Sequence, residues 1–326
     1  MKVLIIGAGI IGSIFGWALA DGGNDVTHFV RTGKTAQFAD GMPLDMLENR
    51  KGKKNFIGKY HLKVTESLRL SDGYEAVIVP TKPYQVAGVL KQVVPLTGQA
   101  DYLLLTQNWN GTTEIDSILP QSRYIYGDAH AGGVFKNGLL VATIMNDIVL
   151  GQLDGKQDTV LKKYSALFDG IQLKVVIPEN ILHYIWVQYA INAGLWTGLV
   201  RVGNLQKLLR DKENGPLSLL SVKECLDVVA KRGIDLKKYP ESQMYMNTGS
   251  KVGAMIAGMI VQMMFKFNQS VQRASAHGLG DPVEIKEAYD NLLRTGSELG
   301  VAMPVTKSFQ ADMERFAMGE NSGLHG

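Results

Sequence analysis

The chain has a single cysteine, Cys225, among its 326 residues. No internal disulfide can form, so a fold held by disulfide staples is excluded. Nothing beside Cys225 would activate a thiol, and it reads as a small helix residue of a protein from a reducing, cytoplasmic compartment. Charge of one sign is not in excess either. Lysine and arginine outnumber aspartate and glutamate by only 34 to 31, which argues against a nucleic-acid partner. No apolar run reaches the ~20 residues a membrane span requires. The longest, Val252 to Phe265, is interrupted by Gln262 and reads as a buried helix, so no membrane partner is expected. No grouping of His, Cys, Asp or Glu has metal-ligand spacing, and no internal repeat of solenoid period is present. What remains, 45% hydrophobic and 20% charged residues, is the composition of an ordinary globular protein long enough for two domains.

The most informative stretch lies at the amino terminus. Lys2-Val3-Leu4-Ile5-Ile6 is a short apolar run of the kind that forms a strand buried on both faces, and it leads directly into Gly7-Ala8-Gly9-Ile10-Ile11-Gly12. In this G-x-G-x-x-G, Gly7 would permit the strand-to-helix turn and Gly9 would leave room for a pyrophosphate. Gly12 would let the helix approach the strand. The amides of Ile10, Ile11 and Gly12 would then face the phosphates from the helix N-terminus. A second strand, Asp25 to Val30, follows the helix. Lys2, the apolar run and Ala18-Leu19-Ala20 superficially resemble a signal peptide, but cleavage there would delete the nucleotide loop.

At the end of the second strand, where an NAD site places an acidic residue on the ribose, stands Arg31, followed by Thr32, Gly33 and Lys34. A guanidinium there can hold a 2′-phosphate with a planar, charge-assisted fork, which points to NADP(H). The alternative is a solvated surface arginine.

Farther along, the basic run Arg50-Lys51-Gly52-Lys53-Lys54 reads as a solvated loop, and Tyr60 to Thr65 and Ala76 to Pro80 as strands. Tyr84 to Leu96 has helical spacing, and Tyr102 to Thr106 is a further strand. Lys82 and Asn108 each follow a buried strand, where ligands of an open parallel sheet gather. From Tyr124 to Val176 the pattern is strand-like, with a turn at His130-Ala131-Gly132-Gly133 and a hairpin at Asn137-Gly138. A helix, Gln157 to Phe168, and a strand, Leu173 to Ile177, complete the α/β half. Thereafter the period is helical: Ile181 to Leu199, Pro216 to Lys231, Gly249 to Ser270, Pro282 to Leu299 and Val305 to Ala317. Gly319 to Gly326 reads as a loose tail. The expected plan is a Rossmann-type dinucleotide-binding domain over residues 1–178 and an all-helical domain over 179–326, with the active site in the cleft between them. Met255, Met259, Met263 and Met264 read as core or as a subunit interface.

Together, Gly7, Gly9, Gly12, Arg31, Thr81-Lys82, Gln107-Asn108 and the helical second half resemble the ketopantoate reductase family, 2-dehydropantoate 2-reductase and related 2-oxo-acid reductases. Val283-Glu284-Ile285-Lys286 and the later Gly300-Val301-Ala302-Met303-Pro304 are similar to two further segments of that family. The resemblance implies that Glu284 is the active-site carboxylate, that Asn108 contacts cofactor and substrate, that Lys82 lies near the nicotinamide and that Arg31 holds the 2′-phosphate. It also implies a small carbonyl substrate and a homodimer formed through the helical domain.

One segment departs from the pattern. The family's first interdomain helix carries Trp-x-Lys-x-x-x-Asn-x-x-x-Asn, in which the lysine gives the proton. Here Trp186 and Asn192 match, while Gln188 stands for the lysine and Trp196 for the second asparagine. Spacing by four keeps Gln188, Asn192 and Trp196 on one helix face with Tyr184. Glutamine can donate a hydrogen bond but not a proton at neutral pH. Lys82 and Tyr184 are therefore the favoured replacement acids, ahead of His183 and His130. Trp196 implies a bulkier or more apolar substrate, and Asn268 and Ser270 are candidates for gripping it. Two functions follow: an NADPH-dependent reductase of a 2-oxo acid or related carbonyl or imine, or an NADP(H)-binding sensor with little catalysis.

Overall fold

The opening apolar run becomes strand β1 (Lys2–Ile6), whose Val3, Leu4 and Ile5 have no exposure because strands flank it on both sides. Helix α1 (Ile10–Asp21) returns the chain to β2 (Asp25–Phe29), which runs parallel to β1 with Ile6 opposite Phe29. This is a computed structural model that describes residues 1–155, 158–246, 248 and 251–319. It divides into two units, Met1–Leu182 with Ser270–His277, and His183–Gln269 with Gly278–Gly326.

In the first unit β3 (Met42–Glu48) and β4 (Phe56–Tyr60) form a hairpin, and β5 (Lys63–Thr65) then pairs with β2. Next come β6 (Ala76–Val79), α2 (Val86–Val93), β7 (Asp101–Leu105), α3 (Thr113–Asp116) and β8 (Tyr124–Asp128). They are followed by β9 (Ala131–Lys136), β10 (Leu139–Ile144), β11 (Asp147–Gly151), α4 (Thr159–Asp169) and β12 (Lys174–Val176). The main sheet has the order β12-β11-β8-β7-β6-β1-β2-β5, and its strands from β5 to β8 are parallel. That is the doubly wound dinucleotide-binding order, reversing beside β1. The expected α/β class, with a Rossmann-type amino-terminal part and a helical carboxy-terminal part, is borne out.

A second sheet, β4-β3-β10-β9, goes beyond that expectation. Residues of α1, among them Ile14, Phe15, Trp17, Ala18 and Leu19, share one core with Val3 and Ile5 of the main sheet and Leu44, Met46, Leu140 and Ala142 of the second. A helix covered on two sides must be apolar nearly all round, as α1 is. The Asn137-Gly138 hairpin forms as expected, both residues having positive φ (50° and 83°), as a tight two-residue hairpin turn requires.

Several expectations need correction. Tyr60 to Thr65 is not one strand: β4 ends at Tyr60 and β5 begins at Lys63 in the other sheet, so the chain changes sheets between them. Arg50 is not a solvated member of a basic loop but 2% exposed. Its guanidinium pairs with the buried Glu48 carboxylate, donates to the Ile171 carbonyl (3.1 Å) and lies over the Trp17 ring. A buried cation persists because its charge is matched and its donors are used. Gly132 and Gly133 lie in β9 rather than in a turn. A Cβ on Gly132 would stand 2.5 Å from the Ala274 carbonyl oxygen, so the glycine permits the close approach of the Ser270–His277 segment.

The helices are α5 (Ile181–Val202), α6 (Leu205–Arg210), α7 (Asn214–Lys231), α8 (Pro240–Met246), α9 (Lys251–Phe267), α10 (Gln269–Ala274), α11 (Pro282–Glu298), α12 (Pro304–Lys307) and α13 (Gln310–Ala317). The single helix expected over Val305 to Ala317 is thus two, with the fully buried Phe309 between them. In the second unit α5 and α7 cross at glycine: a Cβ on Gly194 would come within 2.4 Å of Val222 Cα, and one on Gly198 within 2.6 Å of Ser218 Cβ. Helix α9 packs on α6, α7 and α8, but among its described residues it is not the fully buried helix expected. Met255, Ile256, Met259, Met263 and Phe267 are exposed, which removes the core reading of the methionines; the side chain of Met264 lies outside the described residues. So do Gln157, Gly249 and the tail after Gly319. Among the described residues no helix is long and apolar enough to cross a membrane.

Candidate functional site

The turn after β1 is built as its glycines require. Gly7 has φ 87°, a conformation that only glycine adopts without strain, and its amide donates to the Phe29 carbonyl (2.7 Å). A Cβ on Gly9 would meet nothing within 4 Å, whereas one on Gly12 would press on the Gly7 carbonyl oxygen at 3.0 Å and on Ile5. Open space at Gly9 and close packing at Gly12 are what a pyrophosphate between turn and helix needs. Gly9 caps α1, and Ser13 N is the first amide to reach an acceptor within the helix, the Gly9 carbonyl at 2.8 Å. The amides of Ile10, Ile11 and Gly12 precede that bond at the positive end of the helix dipole.

A residue missed by sequence reasoning braces this turn from below. His28, in β2, is fully buried; its Nδ1–H donates to the Gly7 carbonyl (2.9 Å) and its Nε2 accepts from the Tyr60 hydroxyl (3.0 Å). Burial pushes its pKa down to about 4, and the Gly7 hydrogen bond only partly opposes that. His28 is neutral at physiological pH. A Cβ on Gly16 would stand 2.3 Å from its Nε2, so Gly16 makes room for the ring.

At the carboxyl ends of the neighbouring strands, Thr81 Oγ1 and Gln107 Oε1 are buried without a hydrogen-bond partner, as is Ser13 Oγ in the first turns of α1. Unpartnered buried polar atoms are uncommon, and these three belong to the glycine-loop helix and to the strand ends at which an open sheet binds ligands. The residues present therefore fit a dinucleotide. Lys82 follows β6 and Pro80, half-buried, its carbonyl accepting from Gln85 N at 2.9 Å. Asn108 is largely committed within the protein. Its Nδ2 donates to the Gly111 carbonyl and the Tyr126 hydroxyl (both 2.8 Å), and its Oδ1 accepts from Gly111 N (2.9 Å). One acceptor lone pair remains for a ligand. Arg31 is exposed, and its guanidinium makes no hydrogen bond or ion pair with any described residue. His130, after β8, bonds Asp147 through Nδ1 (2.7 Å), with Asp128 3.8 Å from Nε2.

In the second unit α5 carries the candidate face. Gln188, Asn192 and Trp196 are half-exposed at spacings of four, while Tyr184 is buried at 4% exposure. The side chains of Gln188 and Asn192 make no hydrogen bond with any described residue. Trp196 packs on the cluster formed by Val200, Ile285, Tyr289 and Phe309. Glu284 lies in the first turn of α11, three residues after the cap Asp281, which accepts from its amide (3.2 Å). Burial raises the pKa of the Tyr189 hydroxyl of α5; the Asn291 hydrogen bond opposes that rise, and the charges of Glu287 and Glu284 add to it. Burial, then the Glu284 charge, raises the pKa of Glu287 itself. Neither Tyr189 nor Glu287 was found in the sequence, because their proximity depends on how α5 and α11 pack. Asn268 falls in the second unit but Ser270 in the first, where its hydroxyl donates to Asn49 (3.0 Å) and the residue is buried.

Residues 3–155 match the ketopantoate reductase PanE/ApbA family. The family resemblance is thus borne out over the strand–glycine loop–helix stretch and the strands that carry Lys82 and Asn108. A 2-dehydropantoate 2-reductase of Pyrococcus abyssi is 26% identical over 204 residues, 60% of this chain and 62% of that enzyme, so the aligned part spans less than two thirds of the relative. Two solved structures share the fold at full length. D-mandelate dehydrogenase with NADH and anilino(oxo)acetate gives a TM-score of 0.71 at 20% identity, covering 98% of this chain and 100% of the other. The 2-dehydropantoate 2-reductase of Geobacter metallireducens gives 0.72 at 17%, covering 97% and 99%.

Proposed function

We propose that the chain is an NADPH-dependent reductase of a 2-oxo acid or a related carbonyl or imine compound. The observation that carries this reading is the glycine turn with its open space at Gly9, together with the unpartnered Ser13 hydroxyl in α1 and Thr81 and Gln107 at the strand ends. Gly7, Gly9, Ile10, Ile11 and Gly12 would hold the pyrophosphate, Arg31 the 2′-phosphate, and Lys82 and Asn108 the nicotinamide end. Bound there, a nicotinamide dinucleotide supplies hydride. In the reduction the carbonyl carbon gains that hydride, the oxygen gains a proton, and the alcohol results. Gln188 polarises the carbonyl by donating a hydrogen bond, and Asn192, Trp196, Asn268, Ser270 and Glu284 orient the substrate. With no lysine at 188, the proton comes from Lys82 or Tyr184.

The pair Gln188 and Trp196 supports a second reading, an NADP(H)-binding sensor with little turnover. One experiment separates them: NADPH titration followed by a screen of NADPH oxidation against 2-oxo acids, aldehydes and imines. Turnover on any of these supports the reductase; tight NADPH binding with none supports the sensor. Indifference to both NADPH and NADH overturns both. The exposed apolar side of α9 also supports assembly of the helical unit as a homodimer.

A further inference from the structure

Sequence reasoning placed a cation, Arg31, at the end of β2 and read the absence of an acidic residue there as a preference for the 2′-phosphate. The fold brings an acidic residue to the same place from another strand. β5 pairs with β2 so that Thr65 lies opposite Phe29 and its carbonyl accepts from Val30 N at 2.8 Å. The next residue, Glu66, therefore leaves the sheet level with Val30, one residue before Arg31. Its carboxylate reaches across the turn closed by the Lys34 N to Arg31 O bond (3.1 Å) and accepts from both the Thr35 amide (2.9 Å) and the Thr35 hydroxyl (2.7 Å). Those two bonds, with smaller help from the Gly33 and Lys34 amides, hold its pKa down to about 2. Glu66 is ionised under all working conditions.

We propose that Glu66 is a specificity-determining residue of the dinucleotide site: its carboxylate, fixed on the Arg31–Thr35 turn, opposes a 2′-phosphate, so that the chain accepts NADH as well as NADPH. The inference rests on the reading that a dinucleotide occupies the Gly7–Gly12 turn with its adenosine ribose at Arg31. Two features make the conflict physical. Arg31 has no anion of its own among the described residues and is free to take a phosphate, and the Thr35 donors that would join it are held by Glu66. A phosphoryl group arriving there meets one cation and one anion, whereas the neutral 2′-hydroxyl of NADH meets an acceptor it can donate to.

The test is the dissociation constants of NADPH and NADH, read by nicotinamide fluorescence, and of 2′-AMP and 5′-AMP by competition, in the parent chain, Glu66→Gln and Arg31→Ala. Glutamine keeps an acceptor for Thr35, so the loop retains its shape. The parent should bind NADPH and NADH within about tenfold of each other. Glu66→Gln should tighten NADPH and 2′-AMP by roughly five- to fiftyfold, the range expected for removing one nearby like charge, and leave NADH and 5′-AMP within about twofold. Arg31→Ala should weaken only the ligands that carry the 2′-phosphate. An equal shift of both cofactors in Glu66→Gln would mark a merely structural residue and overturn the proposal, as would an unchanged NADPH constant. Selective loss of NADH would overturn it too, making Glu66 a ribose ligand. If neither cofactor bound any of the three proteins, the dinucleotide reading itself would fall. Dinucleotide binding with an unaltered NADPH-to-NADH ratio would remove only the role of Glu66.

Discussion

In the amino-terminal unit the residues that match the family lie on backbone turns and strand ends. In the helical unit the candidate residues Gln188, Asn192 and Trp196 lie on one face of α5. A turn such as Gly7–Gly12 works by the absence of side chains, and any replacement at Gly7 or Gly12 meets strain or a backbone atom. A helix face works by the side chains it presents. Gln188 and Trp196 can therefore set the chemistry of that face without any change to the α5 backbone.

The largest effect should come from restoring the family's acid. Gln188→Lys is expected to raise turnover of ketopantoate by about 10²–10⁴-fold, the usual contribution of a positioned proton donor. No gain in a steady-state NADPH assay, with NADPH binding intact, would show that position 188 is not where the two halves differ in function. Next in size is the packing of α5 itself. Because a Cβ on Gly194 would fall 2.4 Å from Val222 Cα, Gly194→Ala should destabilise the helical unit by about 3 kcal/mol or more. Gly9→Ala, in open space, should cost the fold well under about 1 kcal/mol and weaken NADPH instead. Equal melting temperatures for the two variants would dissolve the contrast.

The smallest effect concerns the brace beneath the nucleotide turn. His28 is held neutral with a pKa near 4 against 6.5 in the unfolded chain. The unfolded state therefore takes up a proton first as pH falls. His28 costs nothing above about pH 6.5, and stability is lost progressively between pH 6.5 and 4, by up to about 3 kcal/mol. Urea unfolding at pH 7 and 4.5 should show that loss in the parent and a flatter profile in His28→Gln. Parallel profiles would mean that His28 is not the titrating group.

Some of the site was legible because its signal is local. The roles of Gly7, Gly9 and Gly12, and the half-exposed row Gln188, Asn192 and Trp196, follow from spacing along one turn or one helix. Other parts had no local signal. Arg50 sits in a run of lysines, and only the approach of Glu48, Trp17 and Ile171 makes a buried ion of it. Ser270 looks like any polar helix residue, yet its segment packs against β9 at Gly132, far away in sequence. Glu66 carries no mark at all until β5 is paired with β2.

By itself the sequence determined the parallel sheet, the glycine turn, the helical second half and the row Gln188, Asn192 and Trp196 on one face of α5. Each is written in a periodicity or in glycines a few residues apart, and local backbone sterics and burial read those directly. Only the tertiary structure decided that α1 is covered by a second sheet, that a neutral histidine supports the Gly7 carbonyl and that the Glu66 carboxylate is held by Thr35. Those depend on which strands pair across long stretches of chain, and pairing is settled by the whole core rather than by any one segment.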